Sequence, residues 1–326
     1  MISVKDVLTQ EQATPALINL VEVIVATCSQ IARQVGQGAL GDTLGATQDE
    51  NVQGEVQKKL DVIANDLLIL ALRKQGSVRA MASEEEEHTQ LGAAGAPYIV
   101  AFDPLDGSSN VDVNGQIGTI FTIMNARNDV PYHSDEQFYQ AGSAQLCAGY
   151  VLYGPYTTLV ITTGSKCHEF TLDKQTSEFH LSKAEIKFQQ GVREVAANMA
   201  NLFYWPKRFQ NYMFRLFAPI SGSQRFNMRW QGAMVGDVHR ILTRGGVFIY
   251  PSDSRDANQP AKLRLLYEIF PMALLMKAAG GLAYTETGAA LDTTLKSLHQ
   301  RTPIILGDEL LVKSCFSKLS TNDYAD

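Results

Sequence analysis

The 326-residue chain has little cysteine, little net charge and no long apolar run near its start, and each shortage removes a class of protein. Its four cysteines, Cys28, Cys147, Cys167 and Cys315, are far apart and form no Cys-x-x-Cys pair, which excludes a zinc knuckle or a redox dithiol read from spacing. Reduced structural thiols of a cytoplasmic protein are the expectation. With 28 Lys+Arg against 34 Asp+Glu, the net charge of −6 gives no field to gather nucleic acid or anionic lipid, so neither partner is expected. The opening residues MISVKDVLTQEQ lack the basic start and apolar run of a signal peptide. No stretch is expected to reach the ~18 apolar residues of a membrane span. Internal repeats, low-complexity segments and extended linkers are absent too.

What is present is the balance of an ordinary globular protein, 45% apolar and 19% charged, and a length about twice the ~100–200 residues of one domain. Apolar residues from Ala16 to Val35 recur at a helical period after Thr14-Pro15, a cap and first turn. A glycine-rich stretch, Gly36 to Gly45, interrupts the pattern, and a second long helix is expected from Val56 to Leu72. From Tyr98 the pattern changes to short β-rich runs, YIVAF, TIFTIM, CAGYVLYG, TTLVITTG and HEFTLD, which predict a mainly antiparallel sheet. Beyond Ile186 a strand REVAAN, helices over 207–217 and 233–242, a strand VFIYP, a helix from Leu263 to Ala279 and a strand PIILG predict an α/β domain. The expected division is 1–186 and 187–326, with a packed interface between the halves.

The most informative segment is Ile99-Val-Ala-Phe-Asp103-Pro-Leu-Asp106-Gly-Ser-Ser-Asn110. An apolar strand leads into Asp103, and Pro104 and Gly107 turn the chain so that two carboxylates three residues apart can face one ion. Hard cations such as Mg²⁺ take oxygen ligands, usually one or two carboxylates with water and phosphate. Gly107-Ser108-Ser109 adds N–H groups and hydroxyls suited to phosphate oxygens. Taken alone, the same residues equally describe a solvated turn. Ser83-Glu84-Glu85-Glu86-Glu87 alone reads as a solvated acidic face, but Ala80-Met81-Ala82 before it resembles a strand end, and neighbouring strand ends would bring Glu84 and Glu85 to the same ion. Glu55 and Asp61 lie near the start of the second helix, where acids are favoured in any case. Glu268 sits within an apolar stretch, where a charge needs a metal or a salt bridge to Arg264 or Lys262.

These residues carry a resemblance. Asn51-Val-Gln-Gly-Glu-Val-Gln-Lys-Lys-Leu-Asp61, Ser83-Glu84-Glu85, Phe102-Asp-Pro-Leu-Asp-Gly-Ser-Ser-Asn110, Gly118-Thr-Ile-Phe121 and Lys262-Leu-Arg-Leu-Leu-Tyr-Glu268, in this order, resemble class I fructose-1,6-bisphosphatase from about residue 14 to 312. The Asp-Pro-Leu-Asp-Gly motif marks the wider superfamily of Mg²⁺-dependent, lithium-sensitive phosphatases, and Lys-Leu-Arg-Leu-Leu-Tyr-Glu narrows it to this branch. The resemblance implies an α/β fold, a five-layer α-β-α-β-α sandwich of two domains. It also implies a homotetramer and removal of the 1-phosphate of fructose 1,6-bisphosphate in gluconeogenesis. By position, Glu84, Asp103, Asp106, Glu268 and the carbonyl of Leu105 match metal ligands, and Glu55 an acid at a further metal position, for two or three Mg²⁺. Asp61 and Glu85 match the carboxylates that orient and deprotonate the attacking water. Asp106, Gly107, Ser108, Ser109 and Lys262 match residues holding the 1-phosphate end and the sugar. Asn198 and Tyr250 match ligands of the 6-phosphate, and Arg229 an arginine supplied by a neighbouring subunit.

Asn201 and Trp230 stand where tyrosines are usual, which alters the 6-phosphate end and leaves sedoheptulose 1,7-bisphosphate as an alternative substrate. A catalytically idle sugar-phosphate sensor is disfavoured by the full set of ligands. Most relatives of this kind bind AMP through a Thr-Gly-Glu-Leu-Thr turn, a Lys-Tyr pair and an arginine. Here those positions read Thr14-Pro15-Ala16-Leu17-Ile18, Pro97-Tyr98 and Asn125, with Arg127 as the one cation that could substitute. Insensitivity to AMP is the expectation.

Overall fold

The computed structural model describes residues 1–41, 44–50, 56–218, 225–255 and 261–319. In chain order the helices are α1 (Val4–Gln10), α2 (Pro15–Gln37), α3 (Lys59–Gln75), α4 (Lys207–Phe217), α5 (Met234–Arg244), α6 (Phe270–Ala279) and α7 (Glu309–Leu319). The strands are β1 (Ala46–Glu50), β2 (Val56–Lys58), β3 (Val78–Ser83), β4 (Gln90–Leu91), β5 (Tyr98–Asp106), β6 (Ile117–Asn125), β7 (Gln145–Tyr153) and β8 (Thr157–Thr162). After them come β9 (Cys167–Asp173), β10 (Glu178–Lys183), β11 (Glu194–Ala197), β12 (Asn227–Met228), β13 (Val247–Tyr250), β14 (Leu282–Thr285), β15 (Gly288–Ala289) and β16 (Ile304–Gly307).

Two large sheets organise these elements. The first has the order β10-β9-β8-β7-β6-β5-β3-β4 and is antiparallel except where β3 runs parallel to β5. The second has the order β12-β11-β13-β16-β14-β15 and mixes parallel and antiparallel pairs. Because successive strand residues face opposite sides, each sheet feeds two cores. Met81, Val100 and Phe102 pack with α1, α2 and α3, whereas Ala80, Ile99 and Ala101 face the opposite side with α5 and α6. In the second sheet Ala196 and Phe248 share that middle core, and Val195, Val247 and Ile249 pack outward on α4 and α7. The result is the expected five-layer α-β-α-β-α sandwich, with the two sheets joined through a shared apolar middle layer.

The structure corrects several local expectations. The second long helix begins at Lys59, because Val56–Lys58 pairs with Ala46–Glu50 as a hairpin. The segment expected as one helix from Leu263 instead opens with a π-helical turn, Leu265–Ile269, before α6. Pro271 lacks the N–H that an uninterrupted α-helix would use there. Helices α1 and α7 and strands β10 and β14 add to what periodicity indicated. The four cysteines are buried and form no disulfides. One segment, Pro15–Gly41, does have the length and apolarity to cross a membrane, contrary to expectation, with a mean hydropathy of 1.6 in its most apolar window. Of that window 56% is buried inside the protein, where Leu20, Val21 and Ile24 pack in the α1–α3 core.

Candidate active site

The site forms where β3 and β5 end side by side. Their parallel pairing runs to Ser83 and Phe102, and the Glu84 N–H donates to the Phe102 carbonyl at 3.1 Å. This places Glu84 and Glu85 beside the end of β5, which runs on through Pro104 to Asp106 rather than turning after Asp103 as expected. An irregularity in the pairing of β5 with β6 between Asp103 and Asp106 lets both carboxylates leave the strand on the buried side. Asp103 accepts the Leu105 N–H at 2.9 Å, and Asp106 accepts the Val235 N–H in the first turn of α5 at 2.6 Å. Gly107 turns the chain at φ +79°, and a Cβ there would fall 2.4 Å from that of Ala233. Only glycine therefore lets the serine turn lie against the start of α5.

Glu268 enters from the π-helical turn, with Oε2 accepting the Arg264 N–H at 2.6 Å. Potential ligand oxygens of Asp103, Asp106 and Glu268 lie within 4.8 Å of one another, and all three side chains are buried. The buried Arg264 guanidinium lies 2.5 Å from Glu84. The salt bridge considered for Glu268 thus goes to Glu84, while Glu268 takes the backbone N–H of the same residue. Asp61, in the first turn of α3, accepts the Lys58 N–H at 2.8 Å.

Burial, followed by the charges of neighbouring carboxylates, pushes Glu268 up to about 8, opposed by Arg264. Burial also pushes Asp106 up to about 7, against the Val235 N–H, with Glu84 adding to the rise. Asp61 rises to about 7, mainly by burial, with Glu85 and Glu84 adding. Asp103 is raised as well, first by burial and then by Glu84 and Asp106. So many buried carboxylates around one buried arginine form an all-oxygen donor set short of positive charge, which is the chemistry a hard divalent cation satisfies.

The cluster opens into a cavity of about 690 Å³. Its lining includes Asp61, Glu84, Glu85, Asp103, Leu105, Asp106 and Glu268 together with Gly107, Ser108, Ser109, Asn198, Tyr250 and Lys262. The structure thus gathers nearly every residue singled out from the sequence. Arg229 does not join them: it is exposed, and its guanidinium donates to the Met228 carbonyl at 2.8 Å. Glu55 lies outside the described residues. Of the two unusual positions, Trp230 lines the cavity and stacks near Phe248 and Tyr250, with ring centroids 6.2 and 6.1 Å away. Asn201 is buried and is not part of the lining. Sequence reasoning missed Lys58, Phe248 and Met234 in the lining and the N–H that α5 donates to Asp106. Only the position of Lys58, three residues before Asp61, hinted at any of these.

Fold and site define a layered α/β sandwich with a buried acidic group able to bind metal at the edge of a polar cavity. Its family follows from comparison with known proteins. Residues 2–184 match the model of the fructose-1-6-bisphosphatase N-terminal domain and residues 188–320 that of the C-terminal domain. The chain belongs to the fructose-1,6-bisphosphatase family. It is 52% identical over 314 residues to a class 1 fructose-1,6-bisphosphatase of Cellvibrio japonicus, covering 96% of this chain and 97% of that one. It is 49% identical to the class 1 protein of Colwellia psychrerythraea, covering 95% and 97%. The holo-form crystal structure of Leishmania major fructose-1,6-bisphosphatase superposes with a TM-score of 0.91 at 34% identity, over 97% of this chain and 98% of that one.

Proposed function

We propose that this chain hydrolyses the 1-phosphate of fructose 1,6-bisphosphate, giving fructose 6-phosphate as gluconeogenesis requires. The observation that carries this reading is that a buried carboxylate cluster opens directly into a cavity lined by hydroxyls and cations. Glu84, Asp103, Asp106, Glu268 and the Leu105 carbonyl are the residues that would hold two or three Mg²⁺, with Glu55 at a further position. Bound there, Mg²⁺ supplies positive charge for the phosphate oxygens and the leaving alkoxide. Asp61 and Glu85 hold the attacking water and take its proton, and burial pushes Asp61 up to about 7, close to the pH at which a general base works best. The Gly107–Ser109 turn receives the 1-phosphate, Lys262 the sugar, and Asn198 and Tyr250 the 6-phosphate, with Trp230 as an apolar wall. We assign the metal site chiefly to residues 1–186 and the sugar-phosphate end to 187–326. Phosphate release from fructose 1,6-bisphosphate, sedoheptulose 1,7-bisphosphate and inositol phosphate, each with and without Mg²⁺, tests the assignment. Mg²⁺-dependent turnover fastest on the fructose bisphosphate is expected, and preference for either other substrate would overturn it.

The raised carboxyl pKa values set a pH dependence. Folded-state values of about 7 for Asp106 and about 8 for Glu268 exceed their ordinary 3.8 and 4.5, so the metal-free native state keeps protons that the unfolded chain releases. The contribution of these groups to stability therefore falls as pH rises through that window. Mg²⁺ needs the deprotonated forms, so its stabilising effect grows with pH. Thermal unfolding between pH 6 and 8.5 should show a Tm increment from millimolar Mg²⁺ that widens with pH, and a pH-independent increment would contradict it.

We also place this protein in the cytoplasm as a homotetramer in which Arg229 reaches a neighbour's 6-phosphate, as its exposure permits. Arg229→Ala should then raise KM far more than it lowers kcat, as loss of remote binding does. A fully active monomer at assay concentration would refute the cross-subunit role.

AMP insensitivity has support in the local contacts. Thr14 Oγ1 accepts the Leu17 N–H at 3.2 Å and lies 2.8 Å from Tyr98 OH, so the hydroxyls near the start of α2 are already engaged. Arg127 is bonded to Asp129 and to the Glu136 carbonyl. Loss of two charge-assisted contacts at about 1.5–3 kcal/mol each weakens binding ~10²-fold or more. AMP titration into the phosphate-release assay should give no half-inhibition below millimolar, and half-inhibition at tens of micromolar would show a working site.

A further inference from the structure

The proposed water-handling pair comes from two separate elements, Asp61 from α3 and Glu85 from the turn after β3, so something must fix one against the other. Asn65 lies four residues after Asp61, on the same face of α3, and is buried at 5% exposure. Its amide is bonded on both sides. Oδ1 accepts the Ser83 hydroxyl at 2.7 Å, and Nδ2 donates to Glu86 Oε1 at 2.7 Å. The Ser83 oxygen in turn accepts the Glu85 N–H at 3.3 Å. The far side of the turn is fastened too, because Gln90 donates to Glu86 Oε2 at 3.2 Å and His299 Nε2 donates to the Glu86 carbonyl at 3.0 Å.

We propose that Asn65, acting through Ser83 and Glu86, is a positioning residue that sets Glu85 against Asp61, a role that rests on the hydrolase reading above. The geometry separates this role from that of the metal ligands. Glu84, in the same turn, has fastenings of its own in the Phe102 carbonyl and the Arg264 guanidinium. Losing the Asn65 link therefore disturbs the Glu85–Asp61 pair while leaving the metal cluster in place. Displacing a reacting group by about 1 Å can cost 10²-fold in rate, which sets the scale of the effect.

Asn65→Ala, Ser83→Ala and the double variant are made in the full chain and compared with wild type. Measured are kcat, KM for fructose 1,6-bisphosphate, the Mg²⁺ dissociation constant by calorimetry, and the folded fraction by thermal unfolding. Each single variant should lose about 10- to 100-fold in kcat per folded site, with KM and Mg²⁺ affinity within about threefold. The double variant should lose little more than either single one, because one network is broken once. Ser83→Thr, which keeps the hydroxyl, should recover most of the rate. If Asn65→Ala does not fold, Ser83→Ala and Ser83→Thr carry the comparison. The proposal is overturned if kcat per folded site is unchanged, if Mg²⁺ affinity falls in step with kcat, or if the two losses simply multiply. A wild type that releases no phosphate would overturn the hydrolase reading, and this role with it.

Discussion

Asp106→Asn is expected to cut phosphate release below a tenth of the wild-type rate at saturating Mg²⁺, a barrier increase of more than ~1.4 kcal/mol, while the protein stays folded. The substitution keeps the side chain's volume, and the amide oxygen can still accept the Val235 N–H that Asp106 receives at 2.6 Å. What it loses is one of three carboxyl groups with ligand oxygens gathered within 4.8 Å. Without metal that loss relieves repulsion, so the Tm in chelator should equal or exceed wild type. With Mg²⁺ the stabilising increment should shrink, because a ligand is gone. Glu84→Gln should be as inactive but less stable than Asp106→Asn, since Glu84 also pairs with the buried Arg264. Rates above a tenth of wild type in either variant would remove these carboxylates from the reaction. Steady-state assays and calorimetry on the same preparations provide both readings.

Arg264→Leu should be the most destabilising single change at the site. Arg264 is 4% exposed, and its guanidinium faces the carboxylates of the cluster, lying 2.5 Å from Glu84. Removing one partner of a buried ion pair costs about 3–5 kcal/mol, which for a protein of this size lowers Tm by roughly 4–7 °C. The backbone N–H to Glu268 survives the substitution, so the π-helical turn keeps its hydrogen bond and the loss is mainly one of charge. Mg²⁺ should therefore recover part of the lost Tm, and more at pH 8 than at pH 6. Differential scanning calorimetry with and without Mg²⁺ measures this. An unchanged metal-free Tm would mean that the cluster's charge is balanced by other groups.

The Asp103 and Asp106 pair at the end of β5 was legible because apolar strand, glycine and carboxylates occur in one short segment, although the turn falls at Gly107 rather than at Pro104. The join to Glu84 was legible only as a possibility, since strand neighbours are long-range facts that pattern does not fix. The two faces of the first sheet were not legible, because Ile99, Val100, Ala101 and Phe102 are all apolar and only their contacts divide Val100 and Phe102 from Ile99 and Ala101. The start of α3 was misplaced by three residues because Val56–Lys58 is compatible with either helix or hairpin, and pairing with Ala46–Glu50 decides between them. The sequence left Glu268 open between a metal and a salt bridge, because Arg264 contributes its backbone to one carboxylate and its side chain to another, a division that spacing along the chain cannot express. Asn65 gave no signal at all, because an asparagine on a helix is ordinary until its two bonds are seen.

The central claim is that this cluster and cavity remove one particular phosphate. Phosphorus NMR of fructose 1,6-bisphosphate during turnover measures it directly. Loss of the C1 phosphate signal with the C6 signal retained as fructose 6-phosphate, and retention of both signals when chelator removes the metal, is the predicted result. Loss of the C6 phosphate first, or equal turnover in chelator, would contradict the account.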